Sequence, residues 1–298
     1  MGIAMTGGLP QRPPSNPRRQ GGGVASTVPA SAATVAGMHM PDVATIEVVA
    51  DGARGAITLN RPTKLNPLGV QTLTELAAAA RWFDTQPAVK VVVVAGSGRA
   101  FSAGADLAAF TDTGSVTPRE AADIGRRMAD AVEAKRAVTV ARLHGPCIGG
   151  GVVLAAACDL RVAADTTRFS IPELDLGIPL AWGGIPRLVR EIGPALTKEL
   201  VMTCRAFGPE EAQRAGFLNR VVPAAGLDAA VQELVDQLLS KSALTLTATK
   251  RHTNAVTEGM VATTRSWNDA DSLVAALLDP ESREVATAYL SRRSTRPE

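Results

Sequence analysis

The chain has 298 residues, 46% of them apolar and 20% charged, which is ample core material for one large domain or a domain with a helical appendage. Its formal charge of +2 comes from Arg12, Arg18 and Arg19 in an acid-free beginning; residues 42–298 carry 28 basic against 29 acidic side chains. A near-neutral body excludes nucleic acid as the principal partner, and no apolar run reaches the roughly 18 residues needed to span a membrane.

Residues 1–37 are rich in Gly, Pro, Ser and Ala and lack apolar periodicity. We expect a disordered leader over 1–40. An acid-free, Arg-containing leader fits an organellar transit peptide, but its lack of amphipathic pattern favours an upstream start, with Met38 or Met40 nearer the true beginning, and a cytoplasmic protein. ATIEVVA (44–50), a turn at Asp51-Gly52 and GAITL (55–59) predict a hairpin. Asn66-Pro67 supplies an N-cap and a first-turn proline for a helix to about Phe83. VKVVVVAG (89–96) suits a strand buried on both faces. Thr117-Pro118-Arg119-Glu120 is a capping-box sequence opening a helix to about Lys135. VTVARLHG (138–145) and CDLRVAA (158–164) predict further strands, separated by the 149–151 glycine run and an apolar helix. This alternation implies an α/β layered core with parallel strands. Beyond about residue 194 helical patterns dominate, at 194–203, 209–215, 226–240, 242–258 and 260–279.

Several common chemistries are unsupported. Gly96-Ser97-Gly98 follows a strand, but Phe101 stands where a dinucleotide fingerprint needs its third glycine. There is no GxSxG elbow and no glycine-rich loop ending in Lys-Ser/Thr. Cys147, Cys158 and Cys204 have no CxxC spacing, and His39, His144 and His252 are isolated, so no metal site is expected and a reducing compartment is. Two segments are more specific: Ala100-Phe101-Ser102-Ala103-Gly104-Ala105-Asp106-Leu107, and His144 through Val153 with its Gly149-Gly150-Gly151 run. Small residues admit a ligand close to the backbone, and a helix N-terminus offers unpaired N–H groups. Two such ends facing each other would form an oxyanion hole.

FSAGADL resembles the AFxAGADL signature of the crotonase (enoyl-CoA hydratase/isomerase) superfamily, and HGPCIGGGVVLAAACDLRVAA resembles its GxxxGGGxxLAxxCDxRxA segment. LNRPTKLNPL (59–68) and FSIPELDLGI (169–178) are similar to its LNRPxxxNAL and FxxPExxxGI motifs. The resemblance covers roughly residues 45–225. It implies a crotonase (ClpP-like) spiral of ββα units over 41–225, holding CoA and the active site, and a helical C-terminal region over 226–298 that trimerises and covers CoA.

By similarity, the N–H groups of Ala105 and Gly150 would bind the thioester oxygen, and Glu173 would be the catalytic carboxylate. Lys64, Leu65, Ala103, Gly104 and Asp106 would lie along CoA, and Tyr289 and Arg292 would reach the CoA of a neighbouring subunit. Phe110, Val153 and Trp182 would border the substrate, with the acyl chain over Ala108, Phe110 and Met128. No cofactor is implied beyond the CoA of the acyl-CoA substrate, and homotrimers or hexamers are implied as the assembly. The sequence departs from the family at one place. Its hydratases carry a second glutamate three residues after the middle glycine of GGG, where this chain has Val153. Hydration calls for two proton-handling groups, whereas one suffices to move a proton between two carbons. Isomerase-like chemistry is therefore favoured. The alternatives are hydration with Glu173 alone, a non-catalytic acyl-CoA binder, and another acyl-CoA reaction such as decarboxylation or thioester hydrolysis. An apolar wall of Val153 and Trp182 is expected to raise the pKa of Glu173. Asp175 stands where the family commonly has a variable polar surface residue, a second acid being the lesser alternative; Asp106 is read as a loop-ordering carboxylate and His144 as a structural histidine.

Overall fold

A run of four valines forms the middle of the main sheet, as a strand covered on both faces requires. In the computed structural model, which describes residues 39–106, 117–266 and 268–294, this strand is β3 (Val91–Gly96). The six-stranded sheet has the order β1-β2-β3-β4-β6-β8, with β1 Ile46–Asp51, β2 Arg54–Leu59, β4 Val138–Leu143, β6 Leu160–Ala164 and β8 Arg220–Val222. β1 and β2 form the expected antiparallel hairpin, turning through Gly52 at φ 55°. Every other pairing in this sheet is parallel. Two short strands, β5 (Pro146–Ile148) and β7 (Arg168–Ser170), pair parallel in a separate sheet.

Side chains alternate across β3, so its two faces feed different cores. Val92 and Val94 pack with α1 (Val70–Asp84), α2 (Pro118–Ala134), α3 (Gly150–Ala156) and α4 (Gly184–Thr203) in the main core. Val91 and Val93 face Leu227, Val231 and Val235 of α6 (Leu227–Leu239). Between α4 and α6 lies the short α5 (Pro209–Arg214), and the chain continues with α7 (Ala243–Met260), α8 (Asp269–Leu278) and α9 (Pro280–Ser294). The described residues belong to one compact unit, and no described helix is long and apolar enough to cross a membrane.

The capping box at α2 forms as expected: Thr117 N–H donates to Glu120 Oε2 at 3.0 Å and Glu120 N–H to Thr117 Oγ1 at 3.3 Å. Other expectations need correction. Asn66 does not cap α1, which starts at Val70 with Gly69 as its N-cap. Instead Asn66, left-handed at φ 54°, is buried in the loop. Its Oδ1 accepts from Arg61 N–H at 2.9 Å, and its Nδ2 donates to Ser97 O and Ala100 O, each at 2.9 Å. The amide supplies donor and acceptor to two chain segments 30 residues or more apart, a demand that local capping rules do not see. The helix expected over 260–279 is also interrupted. Val261 is extended, and Thr263 donates to Glu258 Oε2 from both its N–H (3.0 Å) and its hydroxyl (3.1 Å), ending α7.

Candidate active site

The two glycine-rich segments run side by side. Ser102 and Cys147 form a parallel bridge, with Ser102 N–H donating to Pro146 O at 3.1 Å and Ile148 N–H to Ser102 O at 3.0 Å. Ser102 Oγ then donates to Asn66 O at 2.8 Å and accepts from Gly104 N–H at 3.1 Å, fixing the turn that follows. Gly104 is left-handed at φ 88°, and a Cβ there would come within 2.7 Å of Ile148 O and 3.6 Å of Gly150 N. Only a glycine lets the segments approach this closely.

Two N–H groups are left over by this arrangement. Leu68 pairs with Ala105 in a parallel bridge, bonding Gly104 O (2.8 Å) and Asp106 N–H (3.1 Å). In such a bridge the central residue's own N–H points away from the partner strand. Ala105 N–H accordingly has no acceptor among the described residues. Gly150 opens α3, and the first N–H of a helix has no intrahelical acceptor. None is supplied to it by the described residues either.

Ala105 and Gly150 both line a cavity of about 300 Å³. Glu173 lines it as well, buried to 8% exposure, with Oε2 hydrogen-bonded to nothing among the described residues. A Cβ on Gly149 would collide with Glu173 Oε1, so the carboxylate sits directly against the glycine run. Burial pushes its pKa up to about 7, opposed only by its own backbone N–H. The desolvating surroundings are Val153 on α3, Leu180 and Trp182 on the following loop, and apolar side chains of the C-terminal helices. Glu173 is the sole titratable residue among the described residues lining this cavity.

The residues matched by the family model "Enoyl-CoA hydratase/isomerase" are 52–296, most of the chain. The chain belongs to the enoyl-CoA hydratase/isomerase family. A crotonyl-CoA hydratase of Syntrophomonas wolfei is 34% identical over 79% of this chain and 90% of its own length. A peroxisomal Delta(3,5)-Delta(2,4)-dienoyl-CoA isomerase of Arabidopsis thaliana is 30% identical over 87% of this chain and 99% of its own. The crystal structure of an enoyl-CoA hydratase from Mycobacterium avium subsp. paratuberculosis matches with a TM-score of 0.75 at 29% identity, covering 83% of this chain and 99% of that one. The crotonase fold expected from the motifs is thereby established, and with it a family of enzymes acting on acyl-CoA.

In this family member the remaining expected residues divide. Val153 and Trp182 face the cavity. Leu65 O accepts from Ala103 N–H at 2.8 Å, so these two are neighbours, and Lys64 beside them is exposed. Asp106 pairs with Arg61 at 3.2 Å, tying its loop to the segment after β2. His144 is a structural bridge between Arg142 (2.9 Å) and Gly98 O (2.8 Å). Burial lowers its pKa, with the Gly98 carbonyl acting in the opposite sense. One expectation is corrected: Met128 is fully buried in the main core rather than on the cavity wall. Asp175 is exposed and outside the cavity, as the surface reading expects. Ala108 and Phe110 lie outside the described residues. Tyr289 is half-buried and Arg292 exposed on α9, with Arg292 Nε donating to Ala288 O at 3.2 Å.

The resemblance implied a helical C-terminal cover without naming the residues that form it. Leu273 and Leu277 of α8 and Ala286 and Leu290 of α9 line the same cavity as Glu173. The four-residue spacing within each pair is a helical-face signal. It does not say which surface that face covers.

Proposed function

We propose that this protein is an acyl-CoA double-bond isomerase in which Glu173 is the one proton carrier and the N–H groups of Ala105 and Gly150 receive the thioester oxygen. The observation that carries this reading is a single buried carboxylate of near-neutral pKa beside two unpaired N–H groups in an otherwise apolar cavity. At neutral pH such a carboxylate is populated in both forms, as a group that takes and returns a proton must be. In a 3-enoyl-CoA it would remove a proton from carbon 2. The electron pair would move onto the thioester oxygen, and the proton would return at carbon 4, leaving a 2-enoyl-CoA and an unchanged enzyme. The negative charge on that oxygen is what two fixed N–H dipoles stabilise without reorganisation.

CoA would run past Lys64, Leu65, Ala103, Gly104 and Asp106, with Tyr289 and Arg292 on α9 as further contacts. Exposed Leu244, Val256 and Met260 on α7 support assembly into homotrimers or hexamers. Three free cysteines support a reducing, cytoplasmic setting. Relatives named as hydratases favour a second reading, water addition to a 2-enoyl-CoA with Glu173 alone. Spectrophotometric assays with 3-enoyl-CoA and 2-enoyl-CoA separate the two. The isomerase reading expects turnover of the 3-enoyl substrate that Glu173→Gln abolishes while CoA affinity persists. Water addition to the 2-enoyl substrate without isomerisation would overturn it, and binding without either reaction would mark an acyl-CoA binder.

A further inference from the structure

Trp182 lies on the first turn of α3. A Cβ on Gly150 would strike its six-membered ring, and a Cβ on Gly125 of α2 would strike the other side of the indole. Glycine at both positions is what admits a ring of this size between the two helices. The ring is fixed from behind. Trp182 (φ 62°) and Gly183 (φ 69°) are consecutive left-handed residues, a strained conformation for a bulky side chain. Arg187, fully buried, holds that backbone: its Nη1 donates to Gly183 O at 3.2 Å and Trp182 O at 3.4 Å. Its Nη2 is anchored by Asp130 (2.9 Å) and Glu133 (2.5 Å), while Gly183 N–H donates to Asp269 Oδ2 at 2.8 Å. Three carboxylates and a guanidinium thus restrain the backbone that carries the indole, and its close packing on Gly125 and Gly150 confines the ring.

Gly150 and Val153 are one turn apart on α3 and share a face. That face, the indole and Leu180 make a continuous apolar wall. A Cβ on Gly184 would come within 2.9 Å of both Val153 Cγ2 and Leu180 Cδ2. An ordered water needs about two to four polar partners, and the side chains of Val153 and Leu180 on this wall offer it none.

We propose that Trp182 commits this site to proton transfer rather than water addition, because its indole fills the volume that a nucleophilic water and a second carboxylate at position 153 would need. The proposal rests on the isomerase reading of Glu173 and deepens it. Hydration adds the oxygen of water to carbon 3 and a proton to carbon 2, so it requires a water held beside the acyl chain. Val153→Glu alone would then add a carboxylate to the wall of which the indole is part, without freeing the volume that the indole occupies. The wall also keeps Glu173 desolvated. Among the described residues no other titratable side chain faces it from the cavity; Cys204 at the end of α4 and Asp175 flank its segment from outside, and burial raises the pKa of the Cys204 thiol.

The test uses the full chain as wild type, Val153→Glu, Trp182→Ala and Trp182→Leu, with both double variants, assayed on 2-enoyl-CoA and 3-enoyl-CoA. Trp182→Leu keeps apolar fill, so loss of folding in Trp182→Ala does not decide the outcome. Hydration should stay at background in Val153→Glu and rise roughly 10²-fold when Trp182 is also reduced, the lower end of what a positioned acid–base group contributes. Trp182→Ala should move the acidic limb of isomerisation from about 7 toward the ordinary carboxylate range. Equal hydration by Val153→Glu and the double variants would overturn the proposal, as would folded double variants that remain at background. Infrared titration of the Glu173 carboxyl, differenced against Glu173→Gln, needs no turnover; an unmoved titration in Trp182→Ala overturns the role of the indole. A wild type inert toward 3-enoyl-CoA, with the titration moved, overturns the isomerase reading instead.

Discussion

Replacing Glu173 by glutamine should make the fold more tolerant of alkaline pH, by an amount that the burial of the carboxylate sets. In the unfolded chain this group titrates near 4.5, and in the folded cavity at about 7. Between these values the native state holds a proton that the unfolded state has released, so stability falls as pH rises. The loss begins near the unfolded value, is complete above the folded one, and is absent at lower pH. A gap of 2.5 units corresponds to about 3 kcal/mol. Between roughly pH 5 and pH 8 the accumulated loss is about 2.5 kcal/mol, and glutamine, which does not titrate, escapes it. Urea denaturation of both proteins at the two pH values, at one fixed protein concentration, reads this difference directly. The variant should gain on the wild type with rising pH. A stability difference independent of pH, or one that moves in favour of the wild type, would refute the claim that desolvation dominates at Glu173. The same titration shapes activity: since the ionised form removes the proton, kcat/KM should rise with pH through about 7.

Ala105→Pro removes one of the two unpaired N–H groups and should lower kcat by about 10²–10³ while CoA affinity changes little, measured by steady-state kinetics and calorimetry. Asn66→Ala leaves Arg61 N–H and the Ser97 and Ala100 carbonyls without their partner, so urea denaturation should show a loss of about 3 kcal/mol. In thiol labelling of the native protein followed by mass spectrometry, Cys204 should react first. Cys147 and Cys158 are fully buried from solvent, and burial raises both thiols, Cys158 to about 11, so their labelling should track global unfolding.

Some features of the site are local and were legible as such. The Thr117–Glu120 cap needs only residues three positions apart, and the valine run of β3 needs only its own pattern. The expected wall of Val153 and Trp182 around Glu173 is present, and the raised pKa follows from it. Asn66 shows where local rules stop. A side-chain amide next to a proline reads as a helix cap, yet its partners lie in the loop after β3. Met128 shows the same limit for packing: an apolar residue on an amphipathic helix is assigned to the interior, but not to a particular part of it.

By itself the sequence determined the family motifs, the α/β alternation, the glycines that permit close backbone approach, and the replacement of a glutamate by Val153. These depend on residue identity and short-range spacing. Only the tertiary structure decided that α8 and α9 roof the cavity, that Gly125 and Gly150 together make room for Trp182, and that Arg187 restrains it. The degree of desolvation at Glu173 belongs with these, because it sums over neighbours from segments more than 100 residues apart, and no local pattern carries that sum.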